Sequence, residues 1–410
     1  MFLVKRAYFN KINIIKGLIS AIFFSAFIYL SYFNIEDKLL NTSLGLISLY
    51  LLLKIDKISL FFMGFFIGIL WFYWIGISFQ YYDLAYLSPL VVIALGLCYG
   101  FLFYFISIYD HPIFRIFAIS LLSFIEPFGF NWFIPELIFI NSYFPTSKVH
   151  FILILALVYM FIKLNKKLKI LAFIPLFVIY SDIGEIIDNP KIKISMPQLN
   201  ISQESKWIKD NQNSIIEKNL QLIDNAIDKK NDLIILPETV FPLLLNKEQF
   251  LLSILKEKSK YIDIIAGALY LENRQYYNTS YHFSNEKVEI AKKTVLVPFG
   301  EEIPLPKLFV DLINDTFYNG AQDYKKAKDA TDFLIKGIKF RNAICYEATS
   351  EEIYQNLNDV KYMIAISNNA WFTPSIEPVL QKLLLKYYAK KYNITIFHSI
   401  NGSPNYIIRP

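Results

Sequence analysis

The stretch Leu233-Ile-Ile-Leu-Pro-Glu238 decides the fold of the second half of the chain. Four consecutive apolar residues are typical of a strand in a buried sheet, and this strand ends in a carboxylate. An amphipathic helix is predicted just before it, near residues 211–228. Strand and helix therefore alternate, which predicts an α/β layered domain.

The same alternation continues on both sides of this stretch, from about residue 190 to residue 410. Further helices are predicted near 247–259 and 376–391. The other predicted strands are Ile192–Met196, Ile262–Tyr270, Tyr277–Phe283, Val288–Lys292, Phe333–Ile335, Lys339–Tyr346 and Tyr362–Ser367.

Two further strand ends carry polar residues that a buried sheet does not need. Lys293-Thr-Val-Leu-Val-Pro-Phe-Gly-Glu301 places a lysine before, and a glutamate after, an apolar turn. Asn342-Ala-Ile-Cys345-Tyr-Glu347 ends in a thiol and a carboxylate. Singly, such residues are usually a solvated glutamate, a surface lysine and a core cysteine. Together they can deprotonate a nucleophile, stabilise an oxyanion and form a thioester.

The first half of the chain, residues 1–183, predicts a membrane domain. The chain is 55% hydrophobic with a mean hydropathy of +0.37, and long apolar runs account for the excess. Seven runs are long enough, or nearly so, to span a bilayer. They are 13–33, 39–54, 58–80, 85–109, 112–128, 149–164 and 168–182.

The charges of this half predict its orientation. Residues 1–183 carry 13 Lys and Arg against 8 Asp and Glu. With a cytoplasmic N-terminus, every Lys and Arg except Lys38 and Lys148 falls on the cytoplasmic side, Arg115 included. The second half then lies outside the cytoplasm, and Trp71, Trp74 and Trp132 are expected at the outer membrane interface. A charge excess confined to the membrane half argues against nucleic-acid binding.

Two other features limit the chemistry. Four scattered histidines lack ligand spacing, so no metal is expected, and two cysteines exclude a disulfide framework. The segment 126–132, with its Pro and Gly among aromatics, is either an interfacial re-entrant loop or the wall of a lipid-facing entrance to the site.

The chain resembles the apolipoprotein N-acyltransferases of the carbon–nitrogen hydrolase (nitrilase) superfamily. The resemblance rests on Leu-Pro-Glu238, Leu-Val-Pro-Phe-Gly-Glu301, Ile-Cys345-Tyr-Glu and Ser367-Asn-Asn-Ala-Trp371, in that order, and on the preceding spans. It implies an αββα sandwich, nitrilase-like, outside the cytoplasm.

The resemblance also implies roles for individual residues. Glu238 is expected to be the general base, Lys293 the oxyanion-stabilising cation and Cys345 the nucleophile. The positions expected to support the site or contact substrate are Trp207, Glu301, Tyr346 and Glu347. For Trp207, an ordinary aromatic at a helix start is the alternative.

The implied reaction moves an acyl chain from a phospholipid, through a cysteine thioester, to the α-amino group of the N-terminal diacylglyceryl-cysteine of an apolipoprotein. No cofactor is expected, and a monomer in the bacterial inner membrane, with its catalytic domain on the periplasmic side, is implied. The alternatives are a membrane-tethered nitrilase-like amidase and an inactive lipid-binding scaffold.

Two features depart from the family pattern. Asn369 stands where the family has an aspartate, which removes a charge near the site. No apolar run follows the second domain, although family members commonly end in one more span. Either the chain is a naturally shorter member of the family, or its second domain is tethered by the N-terminal helices alone.

Overall fold

A computed structural model describes residues 10–165, 187–307, 310 and 324–410. The chain divides into two units that exchange segments. The first unit comprises Met1–Glu126, Trp132–Ile183 and Pro374–Tyr387. The second comprises Pro127–Asn131, Gly184–Thr373 and Tyr388–Pro410. Each half of the sequence thus supplies a segment to the unit formed mainly by the other half.

The first unit is helical. Six of the predicted spans are helices, and the seventh, 168–182, lies outside the described residues. The helices are α1 (Lys11–Tyr32), α2 (Lys38–Lys54), α3 (Lys57–Phe72), α4 (Ser88–Ile106), α5 (Pro112–Leu122) and α6 (Lys148–Lys163). Among the described residues, four stretches are long and apolar enough to cross a membrane by length and composition. These are Lys11–Tyr32, Lys57–Tyr82, Ala85–Ile106 and Pro112–Gly129.

Small residues bring α3 and α4 together. A Cβ atom on Gly64 would lie 2.3 Å from the carbonyl oxygen of Tyr99, and one on Gly68 would lie 2.7 Å from that of Leu95. Close backbone approach through glycine is a common way for membrane helices to associate, because apolar lipid provides no hydrophobic force between them.

The tryptophans expected at the outer membrane interface, Trp71, Trp74 and Trp132, are not exposed side chains. All three are buried within the first unit, where Trp74 and Trp132 pack ring to ring at 5.1 Å. The Nε1–H of Trp71 donates to Ser25 Oγ at 3.0 Å. Tryptophan is suited to interfaces because it is amphipathic, but a buried hydrogen-bond acceptor satisfies it equally well.

Arg115 is also buried rather than exposed to the cytoplasm. Its Nη1 donates to the carbonyl oxygen of Ile55 at 2.6 Å and to that of Leu52 at 3.3 Å. These carbonyls lie at the end of α2, where a helix leaves its last acceptors without partners. The arginine therefore caps a neighbouring helix.

The second unit contains two sheets. The first has the order β1-β2-β4-β5-β6, with β3 paired to β4, and the second has the order β11-β10-β9-β8-β7. The strands are β1 (Ile194–Ser195), β2 (Leu233–Ile235), β3 (Phe241–Leu244), β4 (Asp263–Glu272), β5 (Gln275–Ser284), β6 (Lys287–Lys292), β7 (Asp332–Ile335), β8 (Ile338–Ile344), β9 (Tyr362–Asn368), β10 (Thr395–Asn401) and β11 (Tyr406–Ile408).

The alternating faces of β2 explain its unbroken apolar run. Leu233 and Ile235 pack in a core cluster that includes Ile344 and Ile364 of the other sheet. Ile234 points the opposite way, into a cluster with residues of the helices α8 (Lys209–Asp228) and α9 (Gln249–Lys258). Because successive side chains of a strand alternate, a strand covered on both faces is apolar throughout.

The layered α/β sandwich expected from the sequence is therefore confirmed. α10 (Glu377–Tyr392) connects β9 to β10, which is parallel to β9. Strands β3, β10 and β11 are not predicted by the sequence pattern. In β10 the polar residues His398, Ser399 and Asn401 are all buried, so the strand lacks the apolar pattern that reveals β2.

Gly267 of β4 should be intolerant of a side chain. Its Cβ atom would lie 2.5 Å from the amide nitrogen of Thr239 and 2.6 Å from the Cα atom of Glu238. We expect Gly267→Ala to lower the free energy of unfolding by about 1–3 kcal/mol, the usual cost of overpacking. Denaturant titration of the purified protein would measure it.

Gly337→Ala is the control for this prediction, because nothing lies within 4 Å of its added Cβ atom and only its positive φ opposes the change. Equal stability of Gly267→Ala and the unchanged protein would contradict the packing argument.

Candidate active site

Three strand ends supply the predicted catalytic residues. Glu238 follows β2, Lys293 follows β6 directly, and Cys345 follows β8 directly. Asn278 and Glu301 connect Glu238 to Lys293, and Glu347 connects the residue after Lys293 to the residue before Cys345. The structure thus brings together all three residues that the sequence singles out.

The carboxylate of Glu238 is held on both oxygens. Its Oε1 accepts a hydrogen bond from Asn278 Nδ2 at 2.7 Å, and its Oε2 accepts one from the backbone N–H of Asn368 at 2.9 Å. The side chain is buried. A carboxylate that is positioned in this way and shielded from water is suited to accept a proton from a nearby group.

Lys293 is a buried cation with a close counter-ion. Its side chain is 1% exposed, and its Nζ lies 2.6 Å from Glu301 Oε2. Burial by itself lowers the pKa of Lys293. The charge of Glu301, with smaller contributions from Glu238 and Cys345, outweighs burial and raises that pKa above its ordinary value. The group therefore stays an ammonium ion.

The turn before Glu301 aims its carboxylate at the lysine. The backbone N–H of Val297 donates to Glu301 Oε2 at 2.9 Å, and the N–H of Glu301 donates to the carbonyl of Val297 at 2.9 Å. Phe299 has φ +62°, a left-handed conformation that tight turns use. The Val-Pro-Phe-Gly turn thus folds Glu301 back over the end of β6.

Cys345 occupies a strained backbone position. Its φ is +56°, unusual for a residue other than glycine, and it begins a short 3-10 turn after β8. Its side chain is partly exposed. Strained backbone of this kind is concentrated at functional sites, because the surrounding structure must hold it in place.

Glu347 joins two of the strand ends. Its Oε2 accepts from the N–H of Ile344 at 2.7 Å, and its Oε1 accepts from the N–H of Thr294 at 2.6 Å. Ile344 precedes Cys345, and Thr294 follows Lys293. Burial raises the pKa of Glu347, and these hydrogen bonds and the charge of Lys293 oppose that rise. Glu347 thus fixes Cys345 relative to Lys293.

Tyr346 contacts a loop from the first half of the sequence. Its hydroxyl donates to the carbonyl of Gly129 at 3.0 Å and accepts from the N–H of Asn131 at 3.1 Å. Its ring stacks on that of Phe130. Part of the segment 126–132 therefore lies beside the residue that follows Cys345, and its role in lipid access stays a prediction.

The remaining predicted positions differ in exposure. Trp207 is 41% exposed, as a surface contact for substrate requires, and its role stays a prediction. Asn369 is buried, and its Nδ2 donates to Ser403 Oγ at 3.3 Å. A neutral amide can be buried there without the desolvation cost of a carboxylate.

Sequence reasoning missed three polar residues around Glu238. Asn278 Nδ2 also donates to Glu301 Oε1 at 3.1 Å, so it bridges the two carboxylates. Asn368 supplies an N–H, and Lys206 is buried below the turn at Glu238. Asn278 lies within a strand of mixed polarity, where nothing distinguishes it.

Among the described residues, no three His, Cys, Asp or Glu side chains converge as metal ligands.

Comparison with known proteins finds a matching family model and similar solved structures. Residues 11–182 match the family model described as apolipoprotein N-acyltransferase integral membrane domain. In solved structures, a carbon–nitrogen hydrolase superfamily protein from Xanthomonas campestris aligns with 51% of this chain and 76% of its own, at 14% identity and a TM-score of 0.39.

Curated relatives match over nearly their full length. The apolipoprotein N-acyltransferase of Wolinella succinogenes is 45% identical over 397 residues, which cover 96% of this chain and 95% of the relative. That of Helicobacter hepaticus is 40% identical over 398 residues, which cover 95% and 98%. The chain belongs to the apolipoprotein N-acyltransferase family of membrane enzymes.

Proposed function

We propose that this protein transfers an acyl chain from a phospholipid, through a thioester on Cys345, to the α-amino group of the N-terminal diacylglyceryl-cysteine of apolipoproteins. The observation that carries the proposal is the hydrogen-bond network that joins the three strand ends: Asn278 joins Glu238 to Glu301, the counter-ion of Lys293, and Glu347 joins Thr294 to Ile344, the residue before Cys345. A base, a cation and a thiol at neighbouring strand ends are the groups that acyl transfer through a thioester needs.

In the first half-reaction, Glu238 accepts the thiol proton and the sulfur of Cys345 attacks the ester carbonyl carbon. A C–S bond forms, and the negative charge moves to the carbonyl oxygen, where the Lys293 ammonium and a backbone N–H near Tyr346 stabilise it. The ester C–O bond then breaks, Glu238 returns the proton to the leaving oxygen, and a lysophospholipid departs.

In the second half-reaction, the α-amino nitrogen attacks the thioester carbonyl. Glu238 accepts a proton from the amine as the C–N bond forms, and Lys293 again stabilises the oxyanion. The C–S bond breaks, and the sulfur recovers a proton. Because the first product leaves before the second substrate reacts, ping-pong kinetics follow.

A membrane location fits both substrates, since acyl chains hold donor and acceptor in the bilayer. We propose the bacterial inner membrane, with the catalytic residues on the periplasmic side, on the basis of the lysine and arginine distribution. All three catalytic residues come from one chain, so a monomer suffices.

The proposal predicts that Cys345→Ala abolishes the reaction. Purified protein would be incubated with phospholipid and then with a diacylated lipopeptide, and mass spectrometry would detect the acyl thioester and the triacylated product. Glu238→Gln should slow thioester formation by about 10²–10⁴-fold, the typical contribution of a general base.

Cys98→Ala is the matched control, because Cys98 is the other partly buried thiol and should not affect either product. Hydrolysis of a simple amide by a protein that ignores phospholipid would replace the proposal with the amidase alternative. Absence of both activities, with Cys345 unmodified, would favour a scaffold.

The ion pair with Glu301 predicts a change in pH dependence. Glu301→Gln removes the largest contribution that raises the pKa of Lys293, so Lys293 loses its proton at lower pH. An oxyanion is stabilised only while the amine is protonated. The alkaline fall in the rate of thioester formation should therefore move to lower pH, with a loss of about 10²-fold where the amine is neutral.

Single-turnover rates measured across the pH range would test this, with Glu302→Gln as the control. Glu302 is the neighbouring glutamate, and its carboxylate lies 3.7 Å from Lys326 rather than in the site. Identical pH profiles for Glu301→Gln and the unchanged enzyme would show that Glu301 does not maintain the charge of Lys293.

A further inference from the structure

Lys206 is a second buried lysine close to the proposed base. It ends the short helix α7 (Gln203–Lys206) and is 1% exposed. Its Nζ donates to Thr239 Oγ1 at 2.7 Å and to the carbonyl oxygen of Glu238 at 3.2 Å. Burying an ammonium group is costly unless it is paired, and both of these partners are neutral. Such a costly arrangement requires an explanation.

The two acceptors of Lys206 belong to a strained turn. Thr239 has φ +45°, which a β-branched residue rarely adopts. On its other side the turn lies against Gly267, with no room for a Cβ atom. The lysine therefore holds the backbone from which the carboxylate of Glu238 projects.

The opposite end of α7 reaches the same carboxylate through Asn368. Gln203 Oε1 accepts a hydrogen bond from Asn368 Nδ2 at 2.8 Å. The backbone N–H of Asn368 in turn donates to Glu238 Oε2 at 2.9 Å. One short helix thus contacts the backbone of Glu238 at one end and a hydrogen-bond donor to its carboxylate at the other.

We propose that Lys206 is a positioning residue for the reaction, which fixes the Glu238–Thr239 turn so that Glu238 can deprotonate Cys345. The proposal rests on the proposed function in one respect, the assignment of Glu238 as the base. Because Trp207 is the next residue, the same helix links a partly exposed aromatic to the base.

The electrostatic environment supports this assignment. Burial lowers the pKa of Lys206 to about 7, and the charge of Glu238 opposes that shift. The amine therefore interacts with the carboxylate of Glu238 as well as with the backbone of the turn.

The test uses the rate at which iodoacetamide alkylates Cys345 in the full-length protein, in a Cys98→Ala background. Lys206→Met keeps the length of the side chain but removes its donors. We expect at least about a tenfold lower rate, since small misplacements of a catalytic group cost up to about 10²-fold. Lys209→Met, at an exposed lysine three residues along, should leave the rate unchanged.

A double variant separates positioning from a structural role. In a Glu238→Gln background, Lys206→Met should cause no further loss, because the lysine acts through Glu238. An equal loss in both backgrounds, or no loss in either, would overturn the proposal. Rates are taken per folded molecule, with melting temperatures measured in parallel.

Thr239→Val tests the same contact if Lys206→Met fails to fold. It removes the nearer acceptor of the lysine while keeping the shape of the side chain, and a several-fold lower alkylation rate is expected. A rate equal to that of the unchanged protein would overturn the proposal.

Iodoacetamide requires no lipid, so the two proposals can fail separately. Coupling of Lys206 to Glu238 in a protein that ignores phospholipid would remove the acyl-transfer function and leave the positioning role. Acyl transfer that is unaffected by Lys206→Met would remove the positioning role and leave the acyl-transfer function.

Discussion

The ammonium group of Lys293, buried at the end of β6, imposes the main constraint on the rest of the site. A buried ion without a partner costs several kcal/mol, so the fold must deliver a carboxylate to it. Glu301 meets this need only because the Val-Pro-Phe-Gly turn reverses the chain within eight residues of the lysine. The apolar turn and the glutamate that ends it thus act together to supply the counter-ion of Lys293.

The hydrogen-bond network spreads outward from this ion pair. Asn278 connects Glu301 to Glu238, and Glu347 connects the residue after Lys293 to the residue before Cys345. A buried polar network is costly when it is incomplete and rigid when it is satisfied. The strand ends are therefore held in one geometry, which the proposed thioester mechanism needs because its base, cation and thiol act on the same carbonyl group.

The sequence identified candidate site residues where a reactive side chain stands beside an apolar stretch. Glu238 follows an apolar strand, Lys293 precedes the apolar Val-Pro-Phe-Gly turn, and Cys345 follows the apolar pair Ala343-Ile344, so each is a reactive group beside an apolar stretch. Asn278 and Lys206 gave no such signal, because their partners are 40 and 32 residues distant along the chain. The burial of the tryptophans was not predicted for a related reason. Hydropathy identifies a segment as apolar but does not show which of its side chains face protein.

The exchange of segments between the two units has a consequence for biosynthesis. The helices of the first half are translated first, but their unit also includes Pro374–Tyr387, close to the C-terminus. Within that unit, Lys386 Nζ lies 2.6 Å from Asn141 Oδ1, and the hydroxyl of Tyr387 lies 3.3 Å from Glu136 Oε1. The early helices must therefore persist, inserted but unfinished, until Pro374–Tyr387 has been translated.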